Sequence, residues 1–205
     1  MSAAPLLAGA AGFALGTIPF GWLLALRVGR GDVRRKGSGN IGATNVFRVA
    51  GPGLAILTLV LDAAKGGFAV VLARAIGGAD VLSAAAGGLG AIAGHLFTPW
   101  LGFRGGKGAA TAAGALAVLA PLPLAAALGV FGVVAGLTRR VSAGSLSAAA
   151  AFPVCAAMLA AQRSVVVTGV VVALTLIVSH RDNLVRLASG REPKFGREGA
   201  REDGA

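Results

Sequence analysis

The most legible chemistry in the chain lies in seven residues, Gly102-Phe103-Arg104-Gly105-Gly106-Lys107-Gly108. Glycines let a backbone approach a ligand closely and adopt positive φ, so successive N–H groups can converge on a phosphate. The amides of Gly105, Gly106 and Gly108 are the expected donors, with Arg104 and Lys107 adding charge. Residues 109–119 read as helix, so their first N–H groups and dipole would favour the same anion. A nucleotide P-loop is excluded by spacing: three residues, not four, separate Gly102 from the Gly106-Lys107 pair, and Gly108 stands where a Ser or Thr would hold magnesium. The competing reading is a flexible turn whose basic residues obey the positive-inside rule.

A second polar stretch, residues 36–48, is dense in small hydrogen-bonding residues. Ser38, Asn40, Thr44, Asn45 and Arg48 are able together to bind a hydroxylated, phosphorylated compound. The simpler reading is a turn entering a short helix with Asn40 or Thr44 as its cap. Near the C-terminal end, His180, Asn183 and Arg186 fall near one face if the chain stays helical. Asp62 and Lys65, at i and i+3 inside an apolar stretch, read as an internal ion pair, with Gly66 and Gly67 admitting a neighbouring helix. Their rival role is Lys65 reaching an anion. His95 reads either as a helix-packing histidine or as a site residue, and Ser145 as an N-cap or a substrate contact. Two histidines and few acids offer no metal cluster, and no Ser-His-Asp triad is evident.

These residues need elements to hold them. With 56% hydrophobic residues, 13% charged and a mean hydropathy of +0.79, the chain has the composition of an integral membrane protein. Apolar stretches at about 4–26, 53–76, 80–101, 109–121, 122–138, 143–161 and 164–179 predict an all-α bundle of about seven transmembrane helices. Pro121 and Pro123 leave 109–138 open as two spans, a short hairpin or one kinked helix. Most of the 19 Lys and Arg fall in loops that this topology puts in the cytoplasm, with the N-terminus outside and the C-terminus inside. The net charge of +11 is spread over short loops without aromatic interleaving, which argues against nucleic acid. Residues 1–190 are expected to form one domain and 191–205 a polar, frayed tail. The lone Cys155 excludes an intrachain disulfide and reads as a small apolar residue.

Across nearly its whole length the chain resembles the bacterial acyl-phosphate:glycerol-3-phosphate acyltransferase family. The resemblance rests on Ser38-Gly-Asn-Ile-Gly-Ala-Thr-Asn45 with Arg48, Asp62-Ala-Ala-Lys65-Gly66, Gly94-His95 with Phe103-Arg-Gly-Gly-Lys-Gly-Ala-Ala-Thr111, Ser145-Leu146, and His180-Arg-Asp-Asn183 through Leu187. Thr98-Pro99 departs from the family, where Pro usually follows the aromatic residue directly, and Leu184 replaces the usual Ile.

The resemblance implies a seven-helix enzyme of the bacterial plasma membrane, with its site at the cytoplasmic face. It implies transfer of a fatty acyl group from acyl phosphate to the sn-1 hydroxyl of glycerol 3-phosphate, giving lysophosphatidic acid and phosphate. No cofactor or metal is implied; the partners are the two substrates, the bilayer and transiently the enzyme that makes acyl phosphate. Arg48, Lys107 and the glycine amides are then assigned to phosphate, and Ser38, Asn45 and Ser145 to substrate oxygens. His180 becomes the base with Asn183 as orienter, unless the donor's own phosphate takes the proton. Two other classes compete. A transporter of phosphorylated metabolites would show inverted repeats, of which none is persuasive, and a membrane phosphatase would need a nucleophile or metal cluster.

Overall fold

The computed structural model describes residues 2–195 and is helical, with ten α-helices and two short 3-10 turns among them. Contacts among the described residues group into two compact units that divide between Leu119 and Ala120. Among the described residues five stretches are long and apolar enough to cross a membrane, six if a bent pair of helices near the C-terminal end is counted as one span. Outward-facing Leu6, Leu137 and Met158, each at least 80% exposed, fit a lipid-facing surface and not a watery one. The protein is an all-helical, multi-pass membrane protein.

In the first unit, α1 (Ala4–Gly16) and α2 (Phe20–Arg27) form one broken span. Pro19 supplies no N–H and disfavours a helical Ile18, so the chain leaves helix at Thr17 and resumes at Phe20. A loop with a 3-10 turn at Val33–Arg35 leads into α3 (Ala43–Ala50), then α4 (Pro52–Gly77), α5 (Val81–Leu96), a second 3-10 turn at Pro99–Leu101, and α6 (Ala109–Leu119). Asp80 caps α5 by accepting from the amides of Leu82 and Ser83. Helix α1 packs on α4 and α5, and α4 on α6. These seams close backbone to backbone: a Cβ on Gly12 would overlap the Gly87 carbonyl, and one on Gly66 the Thr111 carbonyl. Gly66 thus admits a neighbouring helix as its sequence position suggests.

The polar first loop is held by an apolar cluster of Ala25, Val33, Ile41, Val46, Ala55 and Leu101, with Trp22 and Leu54 packed against it. Burying a Val or Ile is worth about 1.5–3 kcal/mol, so three such residues anchor a loop otherwise composed of turn formers.

The second unit contains α7 (Pro121–Thr138), α8 (Val141–Met158), α9 (Arg163–Ser179) and α10 (Arg181–Ala188). Residues 109–138 therefore form two helices: α6, at 11 residues shorter than a span, and α7, at 18 residues long enough for one. Helix α7 packs on α8 and α8 on α9, while α10 bends 66° from α9 at His180. The bend replaces the continuous helix that would have aligned His180 with Asn183 and Arg186.

Candidate functional site

In the first unit the glycine-rich loop is built differently from a cradle of three glycine amides. The Gly105 N–H donates to the Leu96 carbonyl at 2.9 Å and the Gly106 N–H to the His95 carbonyl at 3.0 Å. Both amides therefore cap the C-terminal end of α5, whose last carbonyls lack intrahelical donors. They do not face an anion, and this corrects the expectation for Gly105 and Gly106. Glycine is still demanded there: a Cβ on Gly105 would fall on the His95 carbonyl, and one on Gly106 on His95 Nε2. The anion-binding potential lies one step later. Buried Gly108, at φ +83°, turns the chain into α6, and its carbonyl accepts the Ala112 amide, leaving the N–H groups of the first turn without i−4 partners. Half-buried Lys107 precedes that turn, whereas Arg104 is exposed. Thr111 Oγ1, in the same turn, is buried with no hydrogen-bond partner.

The other polar loop shows the same division between scaffold and exposed groups. Asn45 is 1% exposed. Its Nδ2 donates to the carbonyls of Val33, Lys36 and Asn40 at 2.9, 3.2 and 2.8 Å, and its Oδ1 accepts the Ser38 amide at 2.8 Å. Asn45 is the staple of the loop, and its side-chain amide is occupied by the loop's own backbone. Asn40 Oδ1 accepts the Gly42 amide, forming a turn ahead of α3 whose N-cap is Gly42; neither Asn40 nor Thr44 caps the helix. The Ser38 and Thr44 side chains are exposed, and Arg48 is half-buried in the last turn of α3. Asp32 closes the preceding turn by pairing with Arg34 at 2.7 Å, and hydrogen bonding from that guanidinium holds its carboxyl down at about 2.

Asp62, Lys65 and His95 are 2%, 5% and 4% exposed and meet in one buried cluster. Lys65 Nζ lies 2.8 Å from Asp62 Oδ1, 2.9 Å from His95 Nδ1 and 2.8 Å from the Ile18 carbonyl. The predicted ion pair is present, and two partners invisible in the i, i+3 spacing join it. One is a carbonyl released by the break at Pro19; Thr98 serves the same break, donating its hydroxyl to the Thr17 carbonyl at 2.6 Å. Thr98, where the chain departs from the family it resembles, also accepts the Leu101 and Phe103 amides on its carbonyl and so closes the turn leading into the glycine loop.

In the second unit, His180 is 5% exposed and its Nδ1 lies 2.8 Å from the Leu176 carbonyl. A carbonyl only accepts, so Nδ1 carries the proton and Nε2 the lone pair of a potential base. Asn183 Nδ2 donates to Glu192 Oε1 at 2.6 Å, the Ser142 hydroxyl donates to the same oxygen at 2.6 Å, and Arg186 Nε donates to Oε2 at 2.8 Å. Burial pushes the Glu192 carboxyl up, but these donors and the Arg186 charge outweigh it and leave the carboxyl below its ordinary value. The meeting of Glu192 and Ser142 with Asn183 leaves little trace in the sequence, where an acid in a basic tail is a weak signal. Nor is the stretch from 191 to 195 frayed: Glu192 is 6% exposed, and the Phe195 amide donates to the Arg139 carbonyl. Residues 196–205 of the expected tail lie outside the described residues. Ser145 sits inside α8, which starts at Val141, and is not an N-cap.

The family model for glycerol-3-phosphate acyltransferase matches residues 6–190. The chain belongs to the glycerol-3-phosphate acyltransferase family. A relative of that name from Cereibacter sphaeroides is 42% identical over 98% of this chain and 94% of its own length. One from Jannaschia sp. is 46% identical over 90% of each chain. Among solved structures, PlsY (YgiH), an integral membrane glycerol 3-phosphate acyltransferase, matches in its glycerol 3-phosphate form with a TM-score of 0.87 at 32% identity, over 94% of this chain and 96% of that one. Its lysophosphatidic acid form matches with a TM-score of 0.85 at 30% identity, over 96% and 97%. This acyltransferase is thus a membrane enzyme of lipid synthesis. Among the described residues no group of three His, Cys, Asp or Glu side chains is arranged to hold a metal.

Proposed function

We propose that the protein transfers a fatty acyl group from acyl phosphate to the sn-1 hydroxyl of glycerol 3-phosphate, forming lysophosphatidic acid and releasing inorganic phosphate. The observation that carries this reading is the first turn of α6, with unpaired amides and Lys107 set between apolar helices, in a chain whose structural relatives are glycerol 3-phosphate and lysophosphatidic acid forms of an acyltransferase. An acyl phosphate needs no further activation: the acceptor oxygen attacks the acyl carbon, the carbon–oxygen bond to phosphate breaks, and phosphate leaves with its electron pair. Lys107, Arg48 and the amides from Gly108 onward bind phosphate oxygens, Arg104 adds to the local field, and Ser38, Thr44 and Ser145 offer hydroxyls to the substrates. The acceptor proton goes to His180 Nε2, with Asn183 and its Glu192 partner ordering that segment, or to an oxygen of the donor phosphate.

The same reading includes seven crossings of a bacterial plasma membrane, α6 and the α9–α10 pair counted, with the N-terminus outside and the chemistry on the cytoplasmic side. Purified protein given acyl phosphate and glycerol 3-phosphate, without CoA or added metal, is expected to yield lysophosphatidic acid and phosphate in equal amounts. Ester formed only with acyl-CoA would overturn the proposed donor.

A further inference from the structure

His95 sits behind the glycine-rich loop, and its two ring nitrogens meet different surroundings. Nδ1 faces the Lys65 ammonium at 2.9 Å. An ammonium has donors only, so Nδ1 must offer its lone pair, and in the neutral ring the proton is confined to Nε2. Asp62 Oδ1 lies farther from Nδ1, at 3.6 Å, and 2.8 Å from the same ammonium. The ammonium is itself held from a third side by the Ile18 carbonyl. Nε2 lies in the space a Gly106 side chain would fill, three residues before the start of α6. No group among the described residues accepts a hydrogen bond from it. Nε2 is not sealed off as Thr111 Oγ1 is, so an acceptor arriving from outside the protein can reach its N–H.

We infer that His95 is a ligand-binding residue, its Nε2–H donating to a phosphate oxygen of the bound acceptor, and that Lys65 and Asp62 are positioning residues that lock it in the donor tautomer. The inference rests on the reading of this loop as the phosphate site and adds a contact that the glycine motif does not contain. It gives the buried charges a function: without the ammonium at Nδ1, the proton is able to move to that nitrogen and turn the donor at Nε2 into an acceptor that repels a phosphate oxygen. It also explains why Gly106 is glycine although its amide binds no anion, since a side chain there would displace the imidazole.

Imidazole ¹⁵N NMR on the detergent-solubilised protein tests the inference directly. The chain has two histidines, so the spectrum of His180→Gln assigns His95. The expected result is an unprotonated Nδ1 and a protonated Nε2, with the Nε2–H resonance moving saturably as glycerol 3-phosphate is added. In kinetics, His95→Leu is expected to raise KM for glycerol 3-phosphate by about 10- to 100-fold, the range for one hydrogen bond to a charged group, with a much smaller change in kcat. His95→Gln, which keeps an amide donor at similar reach, restores most of the loss. A proton on Nδ1, or a resonance unmoved by saturating glycerol 3-phosphate in protein that turns it over, overturns the inference, as does an unchanged KM in folded His95→Leu. If His95→Leu fails to insert, the wild-type titration decides alone. Inorganic phosphate that moves the resonance in protein unable to use acyl phosphate would support the contact while defeating the proposed donor.

Discussion

The two histidines of this chain are both buried, yet the two units give them opposite tautomers. At His95 the Nδ1 neighbour is an ammonium, so Nδ1 accepts and Nε2 donates. At His180 the Nδ1 neighbour is the Leu176 carbonyl, so Nδ1 donates and Nε2 accepts. The difference teaches that a histidine's role follows from what holds its other nitrogen. A donor at Nε2 suits an anion that is bound and released unchanged, whereas a lone pair at Nε2 suits a proton that must be taken. The supports differ as well: His95 is fixed by a buried ion pair within apolar helices, and the segment after His180 by Glu192, which draws Ser142, Asn183 and Arg186 onto one carboxylate.

The largest expected effect sharpens the contrast at the base. His180→Gln removes the lone pair, and general-base catalysis is typically worth about 10²–10⁴ in rate, so kcat is expected to fall by that factor with KM for glycerol 3-phosphate nearly unchanged. A folded variant keeping most of its kcat would transfer the proton to the donor phosphate and break the comparison. Next is the ion pair. Lys65→Met leaves Asp62 as an uncompensated buried carboxylate and is expected to cost about 3–5 kcal/mol of stability, seen as a lower melting temperature in detergent. Asp62→Asn combined with Lys65→Met should recover much of that loss; equal melting of the single and double variants would deny the charge coupling.

Smaller is Lys107→Ala, which removes one charge-assisted phosphate contact and is expected to lower kcat/KM by roughly 10- to 150-fold, or about 1.5–3 kcal/mol. Wild-type kinetics in inserted protein would exclude the contact. The smallest effect concerns pH in the second unit. The Glu192 carboxyl is lowered from its ordinary 4.5, so its contribution to stability is fully present above that value and lost as pH falls through the depressed folded one. Glu192→Gln is expected to melt lower at neutral pH by an amount equivalent to about 1–2 kcal/mol, and to lose less on acidification than the wild type. Parallel acid profiles for the two proteins would mean that Glu192 is not the titrating support.

Much of this molecule was open to inspection in one dimension. Apolar runs as long as a bilayer demands, with basic residues at their ends, determined a helical membrane protein. The spacing of Asp62 and Lys65 determined an ion pair, because i and i+3 share a helix face whatever the tertiary context. The motif series from Ser38 to Asn183 determined the family.

Tertiary structure alone decided which polar atoms remain available. A sequence names donors and acceptors but not their partners: the amides of Gly105 and Gly106 look like an anion cradle until the end of α5 arrives to accept them. Asn45 looks like a substrate contact until three carbonyls of its own loop converge on it. The carbonyl of Ile18, freed by Pro19, meets a lysine 47 positions away, and that meeting helps set the protonation of His95 on a third helix. Hydrogen bonds act over about 3 Å, so residues far apart in the chain can settle one another's chemistry only after helix packing has brought them together.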